Sequence, residues 1–161
     1  MNLKLELLGE DEFVIYLKKN TIFDINYANE NELKKMLKKL FIKLNDVYNI
    51  KVNGYYIIHV YIDRNYGTVL QIKREEIEYY DFFDNQVDMK IVLKRNPFLY
   101  KVEDFFNINL RKYKVYRYLN DLYLLPKKQL VYSELINLLE KSIIIYDSDK
   151  IIKNGIKIKL T

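Results

Sequence analysis

The sequence contains no cysteine, no tryptophan and a single histidine. Without cysteine the chain forms no disulfide and offers no thiol nucleophile and no thiolate metal ligand. One histidine leaves a zinc site short of ligands, and a histidine-based catalytic triad would have only His59 as its base. His59 lies mid-strand by the local pattern, with Ile57 and Tyr61 as neighbours on its face. We therefore interpret it as a structural histidine.

Glycine and proline are also scarce, with four and two residues respectively. The glycines form neither a phosphate-binding loop nor a dinucleotide fingerprint. The candidate carboxylate cluster for a hard cation, Asp147 and Asp149, is more typical of a turn than of a cation site. The sequence thus predicts no catalytic residue, no cofactor-binding residue and no metal site, and we expect a protein that is not an enzyme.

Long apolar runs are absent as well. No stretch of 18 apolar residues occurs, so we predict no membrane-spanning helix. The first residues alternate between apolar and polar and include Glu6, which is not the pattern of a signal peptide. Together with the lack of cysteine, these features lead us to expect a cytoplasmic protein.

The abundant residues have a simple explanation in codon usage. Phe, Tyr, Met, Ile, Asn and Lys, which have AT-rich codons, make up 85 of the 161 residues. Gly, Ala, Arg and Pro, which have GC-rich codons, contribute only 12. We hypothesise an AT-rich source genome, which the base composition of the gene would test. Neither the 16 tyrosines nor the sequence pI near 9.1 is then evidence by itself for nucleic-acid binding.

The net charge of +5 is distributed unevenly and divides the chain into three segments. Residues 1–74 carry +3, residues 75–88 carry −6 with no basic residue, and residues 89–161 carry +8. The acidic segment is interrupted by tyrosine and phenylalanine, so it is too aromatic for a flexible linker. We predict two modules, 1–74 and 89–161, joined by an acidic aromatic linker at 75–88.

The N-terminal module predicts the element order β-β-α-β-β. Alternating apolar residues at 3–7 and 13–17 are typical of two strands joined by a turn. Residues 33–47 carry apolar side chains at helical i, i+3, i+4 spacing, preceded by asparagines that can cap a helix. Two β-prone runs, 55–62 and 68–73, predict a second hairpin.

The C-terminal module predicts the order β-α-β-β-α-β followed by one more strand. A strand covers 89–93, and Pro97 suits the first turn of a short helix that reaches Phe106. A hairpin follows, with its turn at Asn120-Asp121. Leu130 begins a helix, and the remaining apolar runs predict two strands. The fold class we predict is α+β, with two small modules, each a sheet with helices on one face.

Two groups of basic residues stand out. Lysines on the helix of the first module lie opposite its apolar stripe, which is typical of a solvated face. On the strand near 112–118, alternation places basic and aromatic side chains on the same face. Such a face can bind phosphate and stack bases, so we predict these four as partner-binding residues: Lys112, Lys114, Tyr116 and Tyr118.

A nucleic-acid-binding module is therefore one reading of the C-terminal module. Its predicted element order also matches an RNA-recognition module. The aromatic signature of that module requires a basic residue and a glycine on the third strand. The corresponding strand, Leu122-Tyr123-Leu124-Leu125, has neither, so nucleic-acid binding is the alternative hypothesis rather than the main one.

A family resemblance supplies the main hypothesis. Residues 89–125 read MKIVLKRNPFLYKVEDFFNINLRKYKVYRYLNDLYLL and resemble the C-terminal domain of MecA-type adaptor proteins, which are Clp protease adaptors and negative regulators of competence. The residues that carry the resemblance are Val92-Leu93-Lys94, Phe98, Asn109-Leu110, Val115-Tyr116 and Leu122-Tyr123-Leu124. Residues 138–150 look like the family's helix end and following strand, and the first module is similar in outline.

The resemblance implies a non-enzymatic adaptor. In that family the N-terminal domain captures a target protein and the C-terminal domain docks on a Clp-type AAA+ unfoldase, so the target is degraded. A linker that permits both contacts raises the effective concentration of target at the unfoldase. The chain departs from the family in its short acidic linker, its basic net charge and its shorter second helix. No family contact residue is carried over to this sequence.

Overall fold

The structure is a computed structural model, and it describes residues 3–19, 29–49, 54–75 and 87–160. Residues 76–86, which make up most of the acidic linker predicted at 75–88, lie outside the described residues. By compactness the chain divides into two units. The first comprises Met1–Val60 and Thr68–Lys94, and the second comprises Tyr61–Gly67 and Arg95–Thr161.

The first unit is built on a sheet of strand order β1-β2-β4-β3-β5 together with one long helix. The first hairpin pairs β1 with β2 in antiparallel register, with Leu5 opposite Ile15. The elements are β1 Leu3–Leu7, β2 Glu12–Lys18, α1 Glu30–Tyr48, β3 Gly54–Asp63, β4 Gly67–Arg74 and β5 Val87–Lys94.

The second unit contains a sheet of order β10-β7-β8-β6-β9 and the shorter helices. The tip of the β3–β4 hairpin, Tyr61–Gly67, also belongs to this unit. The α+β class with two small modules is thereby confirmed. The elements are β6 Leu99–Val102, a 3-10 turn Leu110–Lys112, β7 Tyr113–Tyr118, β8 Asp121–Pro126, α2 Tyr132–Glu140, β9 Ser142–Ile145, α3 Asp149–Asn154 and β10 Ile156–Ile158.

Helix α1 is present where its periodicity predicted it. Its apolar stripe is buried, and the ring of Phe41 lies 5.7 Å from that of Tyr56 on β3. The side chain of Asn29 caps the helix by accepting hydrogen bonds from the backbone N–H groups of Asn31 and Glu32, at 3.0 and 3.3 Å. The cap satisfies donors that have no partner within the helix, which fixes where the helix begins.

We predict that Asn29→Ala lowers the free energy of unfolding of the protein by about 1 kcal/mol, because two helix N–H groups lose their acceptor. Asn45→Ala, at an exposed position in the last turn of the same helix, is the matched control and should be neutral or slightly stabilising. Urea titrations followed by far-ultraviolet circular dichroism measure both. Equal midpoints for the two variants would show that the cap contributes nothing.

The prediction of a short helix after Pro97 is wrong. The chain is extended there, and Leu99–Val102 forms strand β6, which pairs with β8 on one side and β9 on the other. Leu99 and Tyr100 are fully buried by these neighbours. Pairing on both edges outweighs the local preference for a helix. It gives hydrogen-bond partners to the backbone N–H and C=O groups of β6 and buries the side chains on both faces of the strand.

Two further elements differ from the prediction. The strand at 89–93, assigned from the sequence to the C-terminal module, is part of β5 and pairs beside β3 in the first sheet. Asp147 and Asp149, read as a turn, instead precede and open α3. The helix is only six residues long, which is too short for apolar periodicity to reveal it in the sequence.

Helix α3 packs against one face of the second sheet through Ile151. Ile151 forms a buried cluster with Leu99 and Tyr123, and several partly buried side chains pack against it. These are Tyr116, Tyr118, Leu125, Ile145 and Ile152. Tyr116 lies directly opposite Tyr123 in the β7–β8 register, so both tyrosine rings share the face beneath the helix.

Candidate functional site

The tip of the β3–β4 hairpin is held by one buried carboxylate. Asp63 Oδ2 accepts hydrogen bonds from the backbone N–H groups of Asn65 and Tyr66, both at 3.0 Å. Its Oδ1 accepts from the N–H of Phe98 at 3.0 Å, and the Tyr100 hydroxyl lies 3.5 Å from Oδ2. A carboxylate that caps a tight turn in this way restricts the backbone on both sides of it.

Two more hydrogen bonds attach this turn to the segment after β8. The side-chain oxygen of Asn65 accepts from the N–H of Leu130 at 2.8 Å. Arg64 Nη2 donates to the carbonyl oxygen of Lys127 at 3.2 Å. The backbone N–H of Lys127 in turn donates to the carbonyl of Lys112 at 2.9 Å. The turn, the end of β8 and the start of β7 are therefore fixed relative to one another.

A cleft of about 380 Å³ opens beside this turn within the second unit. Four basic side chains line it, from four separate segments of the chain: Arg64, Arg95, Lys114 and Lys127. Asp63 is the acidic residue in the lining, and three backbone amides already donate to its carboxylate. Within the part of the chain that the structure describes, no carboxylate lies within ion-pair distance of Arg95, Lys114 or Lys127.

A second hollow of about 370 Å³ adjoins the first through Lys127, which lines both. Its acidic member, Glu134, accepts a hydrogen bond from Lys112 Nζ at 2.6 Å, and this bond holds the pKa of Glu134 below its usual value. We refer to the combined basic lining of the two hollows as the basic surface. It consists of Arg64, Arg95, Arg111, Lys112, Lys114, Lys127 and Lys128.

The four partner-binding residues predicted from the sequence fall in two different places. Lys112 and Lys114 belong to the basic surface. Tyr116 and Tyr118 pack instead against the cluster beneath α3. Strand β7 also lies inside the sheet, between β8 and β10. The structure therefore places the two lysines beside basic residues from distant segments, whereas the two tyrosines pack against the cluster.

The remaining sequence candidates do not form a second site. His59 is partly buried in β3. Two of the α1 lysines pair along their own helix, Lys34 with Glu30 and Lys35 with Glu32, at 4.0 and 3.8 Å. Across residues 3–19, 29–49, 54–75 and 87–160, no group of three or more histidines and carboxylates is placed to hold a metal ion.

None of the helices in the described ranges is both long and apolar enough to cross a bilayer.

Buried tyrosines surround the hairpin tip. Burial raises the pKa of Tyr66 to about 12, and its ring packs 6.1 Å from that of Phe98. Burial, with a further contribution from Asp147, raises the pKa of Tyr61 to about 12. Burial therefore keeps these two hydroxyls neutral up to a higher pH than an exposed tyrosine hydroxyl.

We predict a pH dependence of stability that originates from Tyr66. Its pKa is 10.0 in the unfolded chain and about 12 in the folded one. The folded state therefore keeps a proton that the unfolded state releases, so the contribution is complete below pH 10 and is lost between pH 10 and 12. Urea midpoints should fall less steeply over this window for Tyr66→Phe than for the wild type. Parallel profiles would contradict the assignment.

Comparison with protein-family models, with curated proteins and with solved structures finds no match to this chain.

Proposed function

We propose that the protein is a non-enzymatic adaptor or regulator that binds an acidic surface of a partner protein through the basic surface. The observation that carries the proposal is the convergence of basic side chains from separate segments on two adjoining hollows, where both acidic lining residues are already hydrogen-bonded. Like charges held together repel each other, and an acidic partner relieves that repulsion.

The basic surface is better suited to selecting a partner by charge than to forming a tightly packed, desolvated interface. Its lysines and arginines are exposed, so each contributes little in isolation, and salt screens them. Their common field instead accelerates encounter with an acidic partner and disfavours basic ones. Binding should therefore be fast, selective for charge and weaker at high ionic strength.

The resemblance to MecA-type adaptors suggests the identity of the partner. A Clp-type AAA+ unfoldase would dock on the second unit in the cytoplasm, while the first unit would hold a target protein. This finer proposal rests on the resemblance of residues 89–125, and the basic surface supports it only by supplying a docking face of defined charge.

A pair of charge-matched triple variants tests the docking face. The first changes Arg95, Lys114 and Lys127 to glutamate within the basic surface. The second makes the same change of charge at exposed positions of the same unit outside both hollows, at Arg117, Lys150 and Lys159. Each tagged protein is purified from the native host at low and at physiological salt, and the captured proteins are identified by mass spectrometry.

We expect the wild type and the second variant to retain a specific partner and the first variant to lose it, while circular dichroism spectra of all three agree. Recovery of a Clp ATPase would establish the finer proposal. Equal recovery by both variants, or capture of abundant ribosomal proteins alone, would contradict the docking proposal.

Nucleic-acid binding is the second candidate, and the same basic surface favours it. Because Tyr116 and Tyr118 pack beneath α3, the mode would be contact with the phosphate backbone and not base stacking on this strand. Fluorescence titrations with RNA and DNA at two salt concentrations test it. Several phosphate contacts would give a steep salt dependence, whereas a flat or absent response removes this candidate.

A further inference from the structure

The cleft at the hairpin tip has properties that the docking proposal does not require. Its four basic side chains are carried by fixed backbone. Arg64 lies in the turn capped by Asp63, and Lys114 is paired with Leu125 in the sheet. Lys127 is anchored by its backbone N–H. Arg95 precedes Pro97, whose carbonyl accepts from the Ser148 hydroxyl at 2.6 Å.

Among the described residues that line the cleft, positive charge is in excess. Four basic groups face one carboxylate, so the formal charge of the lining is +3. The carboxylate of Asp63 is buried and directed toward three backbone amides. A concave site lined by one sign of charge concentrates its field, and a bound anion would offset the mutual repulsion of the cations.

The size and the chemistry of the lining define the class of anion. A volume of about 380 Å³ is at the lower end of the range for small-molecule sites. Two guanidinium groups can each contact two phosphate oxygens, and two ammonium groups supply further charge. Four cations exceed the requirement of a single phosphate. Apolar contact is available from Ile62, Pro97, Leu125 and Pro126.

We propose that this cleft binds a small ligand carrying two or three linked phosphoryl groups, either an inorganic polyphosphate or the phosphate chain of a nucleotide. The ligand would lie among Arg64, Arg95, Lys114 and Lys127, with its oxygens accepting from their N–H groups. The proposal stands apart from the docking proposal, because a small anion can be titrated onto the purified protein with no partner present.

Isothermal titration calorimetry on the full chain at low and at physiological salt tests the site. The ligands are orthophosphate, pyrophosphate, tripolyphosphate and ATP. We expect affinity to increase from orthophosphate to tripolyphosphate as more oxygens meet the four cations. Equal affinity for tripolyphosphate and ATP would identify the phosphate chain as the ligand. Tighter binding of ATP than of tripolyphosphate would indicate that the nucleoside also contacts the apolar residues of the lining.

Variants separate a specific site from general attraction to a basic protein. Arg95→Gln and Lys114→Gln should each weaken tripolyphosphate binding by about tenfold or more, the effect of losing one charge-assisted contact. Arg117→Gln removes an equal charge from the same strand as Lys114, outside the cleft, and should leave the affinity nearly unchanged. A rise in the melting temperature of wild type with tripolyphosphate gives an independent readout.

Three results would overturn the proposal. One is the absence of measurable binding by pyrophosphate and tripolyphosphate at low salt. Another is an equal loss of affinity in Arg117→Gln and Lys114→Gln, which would show a delocalised charge effect. The third is tight binding of a single-stranded oligonucleotide by a protein that ignores tripolyphosphate, which would favour nucleic acid as the occupant.

Discussion

Replacing Asp63 with alanine is expected to lower the free energy of unfolding of the second unit by about 3–5 kcal/mol. The substitution leaves the backbone N–H groups of Asn65, Tyr66 and Phe98 without their acceptor in a buried environment. An unsatisfied buried donor is more destabilising than a lost surface contact, because it forfeits its hydration as well as its partner.

Hydrogen exchange locates this effect. The amides of Asn65, Tyr66 and Phe98 should lose protection in Asp63→Ala, and urea titration should show an earlier transition. Asp63→Asn keeps one acceptor oxygen and should be intermediate. Asp121→Ala removes a carboxylate whose ion pair with Lys101 is partly exposed, and it should change stability by less than about 1 kcal/mol. Similar behaviour of Asp63→Ala and Asp121→Ala would contradict this role for Asp63.

Asp63→Ala should also weaken the binding of any anionic ligand in the cleft. Asp63 shapes the turn that carries Arg64, so loss of its hydrogen bonds releases one of the four cations from its fixed position. Removing a carboxylate would by itself make the cleft more positive and strengthen anion binding. A lower affinity for tripolyphosphate in Asp63→Ala would therefore show that positioning outweighs charge at this site.

The second large effect is expected for Gly155→Ala. Gly155 ends α3, and its N–H donates to the carbonyl oxygen of Ile151 at 2.7 Å. A Cβ at this position would lie 2.5 Å from that oxygen and 3.4 Å from the carbonyl oxygen of Arg117. Both contacts are with backbone, so relief requires the junction of α3, β7 and β10 to move. We expect a loss of about 1–3 kcal/mol, typical of overpacking.

Gly9→Ala is the matched control for this prediction. A Cβ at Gly9 would have no heavy atom within 4 Å, while the change restricts the unfolded chain to a similar degree. Its free energy of unfolding should stay within about 0.5 kcal/mol of the wild type. The melting temperature of Gly155→Ala should fall clearly below that of Gly9→Ala. Coinciding melting curves would mean that the junction accommodates the added methyl group with no loss of stability.

Elements with a strong periodic pattern could be predicted from the sequence. The burial of Leu33, Leu37 and Leu44 in α1 follows directly from their helical spacing. The β7–β8 hairpin was also expected, although its turn lies one residue earlier, at Leu119 and Asn120, which both have positive φ angles. The register of this hairpin pairs Tyr116 with Tyr123, so that Tyr116 packs against the buried cluster beneath α3 that contains Tyr123. This packing outweighs the usual preference against leucine at a position with a positive φ angle.

The error at β6 has a different origin. The run Leu99–Val102 is short, and Pro97 before it fits a helix start as well as an extended segment. Only the presence of β8 and β9 on its two edges makes the strand the better solution. Neighbours of this kind lie more than 20 residues away in the sequence, where a local pattern cannot report them.

The sequence by itself determined the composition, the uneven charge, the α+β class, the absence of cysteine and the single histidine. It also pointed to Lys112 and Lys114. Only the tertiary structure decided that Lys114 lines a cleft with Arg64 and Arg95 and that Lys112 lines the adjoining hollow. It also decided that Tyr116 and Tyr118 pack against the cluster beneath α3. The physical reason is that periodicity reports which face of an element a residue occupies, whereas a cleft depends on hydrogen bonds such as Arg64 to Lys127, which join residues 63 positions apart.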